Sequence, residues 1–418
     1  MARRTRRRGL TDALTVRGRC FLAAGLALMA CGILMGFRDI TRIGVLVAGL
    51  PIFVLLIARR QQLSFATDRT VSPAIVPMDQ WSAVSLHVRN PGPGRTPILM
   101  AEEQLDYALG DRPRFVIPKM APGAAHEVSY RVRSSVRGRH RLGPLGLRIK
   151  DPFELTLRLA VVRGTGELIV LPKIVDLNSG QVSGGLGNEG SIPHMIALHG
   201  EDDVSVREYR EGDDLRRIHW PATARTGELM VRQEDRPATR RVVLLLDDRA
   251  AAGAVPRASG SFEWAITAMA SIAAVVIQEG TNCFLVAGGE LYAGHGGEHL
   301  RVEAALTELA VAELQEPALF TTSIEKAGEV AAAGALCIAV LSAMSDHEID
   351  ALARVRPPGS AGLAIVTPIS DAVGHGPEAE ATAARLRERG WSAVAVSSGI
   401  SVAQAWSSVG ASAVRAGR

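Results

Sequence analysis

The chain is poor in aromatic residues, which occupy 4% of its 418 positions, although hydrophobic residues as a whole reach 47%. Its cores must therefore be built from Ala, Val, Leu and Ile rather than from stacked rings. Cysteine is as scarce. Cys20 and Cys31 fall in the first apolar run, Cys283 and Cys337 in apolar strand-like segments, and no CxxC or paired spacing appears. That usage fits buried thiols in a reducing compartment and argues against a disulfide framework or a metal cluster. Neither a GxxxxGK phosphate loop nor a GxSxG nucleophile elbow is present, so neither chemistry has a local anchor and no cofactor is expected. A basic surface is lacking too. The net charge is +4, but Arg3, Arg4, Arg6, Arg7, Arg8, Arg17 and Arg19 precede the first apolar run against Asp12 alone. A short basic arm beside a membrane segment is a topology signal rather than a phosphate footprint, so nucleic acid is not an expected partner.

What is there begins with two apolar runs. Cys20 to Phe37 is uncharged over 18 residues, and Ile43 to Ala58 adds 16, or 19 when counted from Ile40 across Arg42. Both approach the roughly 20 residues that cross a bilayer as a helix. A second run so soon after the first, across Arg38 to Arg42, argues for a hairpin rather than a cleaved signal peptide. Residues 1–61 are thus expected to form a basic arm and a transmembrane hairpin, with spans at about 20–37 and 40–58. Pro51 is tolerable inside a membrane helix. Seven arginines before the hairpin and Arg59 and Arg60 after it, against Arg38 and Arg42 between the runs, place both termini in the cytoplasm.

Residues 62–177 change to period two. Val84, Leu86 and Val88 alternate with Ser85, His87 and Arg89; Val128, Tyr130 and Val132 alternate with Ser129, Arg131 and Arg133. Half-buried strands separated by turn clusters such as Asn90-Pro91-Gly92-Pro93-Gly94 predict a small Ig-like β-sandwich. Within residues 178–240, the stretch Ser179 to Gly190 holds five glycines and reads as a flexible connector.

Residues 241–418 alternate strand and helix signals. Val242–Leu246, Cys283–Ala287, Leu336–Leu341, Leu363–Val366 and Ala393–Val396 are short runs without internal polar residues, as parallel strands covered on both faces should be. A helical stripe runs from Phe262 to Ile277, and further helices are predicted at about Leu300–Leu314, Ile324–Ala333, Asp346–Val355 and Glu378–Arg389. This order gives a doubly wound α/β sheet, whose ligands sit at the carboxyl ends of strands. The exit of its first strand, Asp247-Asp248-Arg249-Ala250-Ala251, is therefore the place to look.

The densest stretch of all is Arg207 to Asp235. Its Arg207, Glu208, Tyr209, Gly212, Asp213, Arg216, His219, Trp220 and Arg225 offer two readings. His219 with Asp213 or Asp214 has the makings of a general base and its orienter, but no Ser or Cys nucleophile stands in a recognisable turn. His219 also lacks a second His or Cys at ligand spacing. The favoured reading is an ion-pair network or interaction surface, with Tyr209 and Trp220 as packed anchors. No catalytic residue is assigned.

These residues, with Arg210, Ala224 and Leu229, resemble the R-E-Y-x-x-G-D-x-x-R-x-I-H-W-x-x-S/T-A-R-x-x-x-L signature of the domain of unknown function 58 family, Thr223 standing where Ser is commoner. Arg137-Gly138, Leu142-Gly143-Pro144 and Asp151-Pro152-Phe153 look like a second family segment, with His140 in place of an aromatic and Glu154 in place of glycine. The resemblance implies a von Willebrand factor A-like C-terminal domain whose metal site wants Asp-x-Ser-x-Ser. Here Asp247 remains, but Arg249 and Ala251 replace the serines, and Ala343 follows the later strand that should end in an acid, with Asp346 further on. Divalent metal is therefore not expected, and Arg249 is free to pair with Asp247 or Asp248. The resemblance further implies a MoxR-type AAA+ ATPase and a transglutaminase-like membrane protein as partners. The expected function is a scaffold or adaptor of the cell membrane, multi-pass, with its folded domains on the cytoplasmic side, working in the assembly or maturation of other proteins. The alternative is a hydrolase using His219 and neighbouring carboxylates.

Overall fold

The computed structural model describes residues 13–60, 64–177, 205–209, 218, 220–233, 241–250, 260–294, 300–356, 362–368, 376–397 and 399–416. The chain divides into two compact units, Met1–Leu171 and Pro172–Arg418.

The first unit opens with α1 (Val16–Leu34) and α2 (Arg38–Arg60), both long and apolar enough to cross a membrane. The connection is tighter than expected. It comprises Met35, Gly36 and Phe37, and Arg38 to Arg42 lie in the first turns of α2 rather than in a loop. Gly36, at φ +75°, ends the first helix in a conformation open to glycine, and Arg42 pairs with Asp39 one turn away, which supports an early helix start. The helices pack backbone to backbone: a Cβ on Gly25 would lie 2.7 Å from that of Ala48, and one on Gly44 would lie 2.6 Å from the Met29 nitrogen.

Two β-sheets follow. β1 (Ala66–Ser72), β3 (Ser82–Arg89) and β6 (Ala125–Val132) form one in the order β1-β3-β6, fully antiparallel. The other runs β2 (Ile75–Pro77), β9 (Gly166–Leu171), β7 (Gly138–Lys150), β4 (Leu99–Leu105) and β5 (Arg114–Ile117), with β8 (Leu157–Val162) added on β7. The period-two pattern holds: Val84, Leu86 and Val88 point inward, where Leu86 and Val88 share a core with Leu99, Leu145 and Leu147 of the second sheet. An ion pair lies within this apolar interior. Arg69 on β1 donates from Nε and Nη2 to Glu103 on β4 at 2.7 and 3.3 Å, both side chains being essentially inaccessible. Gly143 explains itself here: at φ +89° its α-carbon lies so close to the Arg69 guanidinium that a Cβ would approach Cζ to 2.9 Å.

The second unit is mixed α/β. β10 (Ser205–Glu208) and β11 (Met230–Gln233) form a small antiparallel pair around the short helix α3 (Trp220–Thr226). The main sheet is six-stranded, in the order β14 (Glu290–Tyr292), β13 (Asn282–Ala287), β12 (Arg241–Leu246), β15 (Leu336–Ser342), β16 (Gly362–Thr367) and β17 (Ser392–Ala395). All neighbours are parallel except the β13–β14 hairpin, which turns through Gly288 and Gly289 at positive φ. The helices are α4 (Gly260–Gln278), α5 (Val302–Val311), α6 (Pro317–Ala332), α7 (Asp346–Val355), α8 (Gly376–Glu388) and α9 (Val402–Ala416). Helices α6, α7 and α8 share one continuous core with the sheet. Helix α4 is also long and apolar enough to cross a membrane, but its apolar residues are mostly buried within the fold. Helix α6 starts at Pro317, earlier than the predicted Ile324, because Pro at the first helical position leaves no amide stranded.

Candidate functional site

The carboxyl end of the β12–β15 pair at the centre of the main sheet carries the described cluster richest in buried charge. β12 is an apolar strand that ends at Leu246, and the Asp247 amide donates to the Val340 carbonyl of β15 at 2.9 Å, continuing the pairing by one residue. That step carries the Asp247 carboxylate to the carboxyl ends of two central strands. The next residues bridge to Gln315, which donates to the Asp248 carbonyl at 2.7 Å and accepts from the Ala250 amide at 2.8 Å.

Arg249 folds back onto Asp247. Its Nε donates to Oδ1 at 2.8 Å and its Nη2 to Oδ2 at 2.6 Å, a bidentate fork between side chains exposed by 11% and 1%. The Ser342 amide and hydroxyl add donors to Oδ2 at 2.8 and 2.5 Å. On its other side the guanidinium donates from Nη1 to Glu348 Oε1 at 2.5 Å, and its plane lies over the Phe320 ring with Cζ 4.4 Å from the centroid. Burial works to raise the Asp247 pKa, but the bonds and charge of Arg249 and the Ser342 donors outweigh it and hold the carboxyl below its usual range. Glu348 is lowered as well: burial opposes, and the Ser345 donors and Arg249 prevail.

Asp248 points elsewhere and fares differently. One oxygen accepts from the Gly288 amide at 2.5 Å, while its buried Oδ1 has no hydrogen-bond partner. Burial, opposed by the Gly288 bond and reinforced by the charge of Asp247, raises it to about 6. The guanidinium thus selects Asp247 over Asp248. Among the described residues, no group of three or more His, Cys, Asp or Glu side chains is placed to hold a metal ion.

The second acid is Glu348 rather than Asp346, which pairs with Arg385 on α8. Glu348 is fixed by a capping box: its Oε2 accepts from the Ser345 amide and hydroxyl, both at 2.8 Å, leaving Oε1 for Arg249. The sequence carried this signal as Ser345-x-x-Glu348. Ser342, Glu348 and Phe320 are the participants that strand-by-strand reading missed.

The signature stretch is described in part. Gly212, Asp213, Arg216 and His219 lie outside the described residues, as do Ala251 and the connector from Ser179 to Gly190. Of the remainder, the Tyr209 amide donates to the Leu229 carbonyl at 2.8 Å and Thr223 Oγ1 accepts from the Met230 amide at 3.0 Å, closing α3 against β11. The expectation that Trp220 is a packed anchor is corrected: its side chain is 66% exposed, and Arg225 is exposed too. A seven-residue helix with no buried residue gives an indole at its first position nothing to pack against. In the other family-like segment, His140 is buried, with Nε2 donating to the Val136 carbonyl at 2.8 Å and Nδ1 3.2 Å from Asp106 Oδ2. It serves as framework there.

Residues 205–383, which span the signature and most of the α/β domain, match the family model described as protein of unknown function DUF58. Over these residues the chain is similar to the DUF58 family. No curated protein matches it. Solved structures similar to this chain include the CARDB domain of a Pyrococcus furiosus protein in complex with di-metal ions, at 12% identity over 26% of this chain and 93% of that one, with a TM-score of 0.19. The alkylpurine DNA glycosylase AlkC of Pseudomonas fluorescens bound to DNA is 13% identical over 32% of this chain and 38% of its own, with a TM-score of 0.18. The β-glucosidase 3B of Thermotoga neapolitana in complex with α-D-glucose is 13% identical over 26% and 17%, with a TM-score of 0.15. Likenesses this slight carry no argument about function.

Proposed function

We propose that this protein is a membrane-anchored scaffold or adaptor, held in the cell membrane by its helical hairpin with both folded units in the cytoplasm. On this reading the first unit is an Ig-like β-sandwich and the second a von Willebrand factor A-like domain that binds proteins. The observation that carries the proposal is Arg249: an internal guanidinium, bonded to Asp247 and Glu348, stands at the strand exit where such domains hold a divalent cation. A charge that is covalently built in cannot exchange, so the domain presents one fixed surface instead of a metal-gated one. The exposed indole of Trp220 adds an anchor of the type that dominates protein interfaces. The arginine asymmetry around the hairpin supports the cytoplasmic assignment, and the partner implied by the family is a MoxR-type AAA+ ATPase, with a transglutaminase-like membrane protein in the same assembly.

The test is capture from detergent-solubilised membranes by the tagged full chain, with and without ATP. A nucleotide-dependent AAA+ ATPase retained by the parent and lost with Trp220→Ala is the expected result; absence of any such ATPase in both nucleotide states refutes the partnership. An externally active reporter should be silent after Arg418 and active at Gly36. The reverse pattern removes the cytoplasmic assignment and the ATPase with it.

A further inference from the structure

The second sheet of the first unit has an inner face, which forms the core, and an outer face whose composition is unusual for a surface meeting water. Register places Val116, Met100, Arg148 and Leu159 in one row across β5, β4, β7 and β8, and Arg114, Glu102, Gly146 and Val161 in the next. Met100, Val116, Leu159 and Val161 are 48%, 60%, 50% and 61% exposed. The charges of the face are mostly positive: the side chains of Arg114, Arg148 and, one row on, Lys150 are at least half exposed, while Glu102, shared by Arg114 and Arg148 at 3.2 Å each, is 17% exposed, and Glu154, 44% exposed, is shared by Lys150 at 3.3 Å and Arg17 at 2.9 Å. Exposed aliphatic side chains interspersed with Arg and Lys are the make-up of a face that rests on a bilayer surface.

The strand at the border of this face is tied to the hairpin. β8 emerges from the turn Asp151–Leu155, and that turn is clamped to the start of α1: the Thr15 amide donates to the Leu155 carbonyl at 2.9 Å, and its hydroxyl donates to the Glu154 carbonyl at 2.6 Å. Gly18 permits the approach, since a Cβ there would lie 2.2 Å from the Leu155 oxygen. Arg158 on β8 donates from Nη1 to the Ala58 carbonyl at 2.5 Å, capping the last turns of α2. The two helix ends on the hairpin's open side are therefore bonded one to the turn that precedes β8 and the other to β8 itself. Phe153, 62% exposed, projects from the same turn.

We infer that this outer face docks on the headgroup layer of the membrane that carries the hairpin, recognising anionic phospholipid. Leu159, Val161 and Phe153 reach the acyl boundary, while Arg148 and Lys150 meet phosphates and lay their aliphatic stems along the apolar rows. A protein partner is the competing occupant. Lipid is favoured because the turn and strand bordering the face are bonded to the two membrane-side helix ends and because its charge is complementary to anionic headgroups. The inference rests on the hairpin being membrane-embedded, and its test separates the two.

Nitroxide labels are placed singly at Leu159, Met100, Leu26 and Tyr107 of the full chain carrying Cys20→Ala and Cys31→Ala, in which Cys283 and Cys337 remain buried. The protein is reconstituted in phosphatidylcholine vesicles with and without phosphatidylglycerol, and collisions with oxygen and with a water-soluble nickel chelate are compared. Leu26, on the exposed side of α1, should contact lipid in both vesicles, and Tyr107, 97% exposed, should remain aqueous. Leu159 and Met100 should be shielded from nickel and accessible to oxygen when phosphatidylglycerol is present. Arg148→Gln and Lys150→Gln should each lower the ratio of docked to undocked protein about fivefold. If Leu26 contacts lipid while Leu159 and Met100 stay aqueous in both vesicles, docking is refuted, the hairpin stands, and a protein covers the face. An aqueous Leu26 overturns the hairpin and docking together. Docking that ignores both phosphatidylglycerol and the two Gln substitutions overturns the recognition of anionic lipid.

Discussion

Replacing Arg249 by Met keeps a side chain of similar length against Phe320 while removing the charge. Asp247, exposed by 1%, would then be an ionised carboxylate without its counter-ion. Breaking a buried pair by removing one partner costs about 3–5 kcal/mol. The lower end applies here, because the Ser342 amide and hydroxyl still donate to Asp247. The Glu348 arm adds little, since that side chain is 26% exposed and retains its Ser345 donors. A loss of about 3 kcal/mol in a domain of this size lowers the melting temperature by roughly 6–12 °C. The assay is thermal unfolding of the detergent-solubilised chain followed by tryptophan fluorescence, which Trp264, Trp391 and Trp406 report from within the α/β domain. The pH dependence carries the sign of the effect. In the parent the Asp247 pKa is depressed, so its contribution is present above the unfolded value of about 3.9 and lost as pH falls through the folded one. In Arg249→Met, burial without the guanidinium raises that pKa, so the folded state is penalised increasingly as pH rises above about 4. The gap between parent and variant should thus be widest near neutrality and should narrow towards about pH 4. A variant that melts with the parent at neutral pH, or whose deficit stays constant with pH, refutes the claim that this guanidinium neutralises Asp247.

Three further outcomes follow from other sites. Asp248→Asn keeps an acceptor for the Gly288 amide and removes a carboxyl whose pKa is raised to about 6; it should stabilise above pH 6 by about 2–3 kcal/mol and leave stability near pH 4 unchanged, as read from melting curves across pH. Arg69→Met should strand Glu103 and loosen the first unit by about 3–5 kcal/mol, whereas Arg69→Met with Glu103→Leu should recover most of the loss, as judged by hydrogen exchange in β1 and β4; equal losses in both would show that the ion pair is not the reason. Trp220→Ala should shift the melting temperature by no more than a surface substitution does, within about 0.5 kcal/mol, while abolishing ATPase capture; a large loss of stability would return the indole to the core.

Much of this architecture was legible because its causes are local. The alternation of Val84, Leu86 and Val88 reports one buried face, and the uninterrupted apolar runs at Val242–Leu246 and Leu336–Leu341 report burial on both, as the strands β12 and β15 confirm. The helix expected at about Asp346–Val355 is found there, its start fixed by Ser345 and Glu348 within one helical turn. The three-residue strand β14 and the C-terminal helix α9 were not anticipated: the first is too short to show a period, and the second mixes Ser and Gly into its stripe of Val402, Trp406, Val409 and Ala413.

The sequence by itself determined the two apolar helices, the change of period that follows them, the strand–helix alternation of the C-terminal half and the place of Arg249 just past the end of an apolar strand. Each depends on neighbours a few positions apart, where backbone geometry alone sets which side chains share a face. Only the tertiary structure decided which acids meet Arg249, that Arg69 and Glu103 find each other across two sheets, and that Trp220 faces outward. Glu348 is separated from Arg249 by 99 residues and Glu103 from Arg69 by 34, and no local period encodes such meetings. They are fixed by strand order and crossover, which bring distant carboxylates to one strand end and make the low-dielectric interior choose the partner that leaves least charge unpaired.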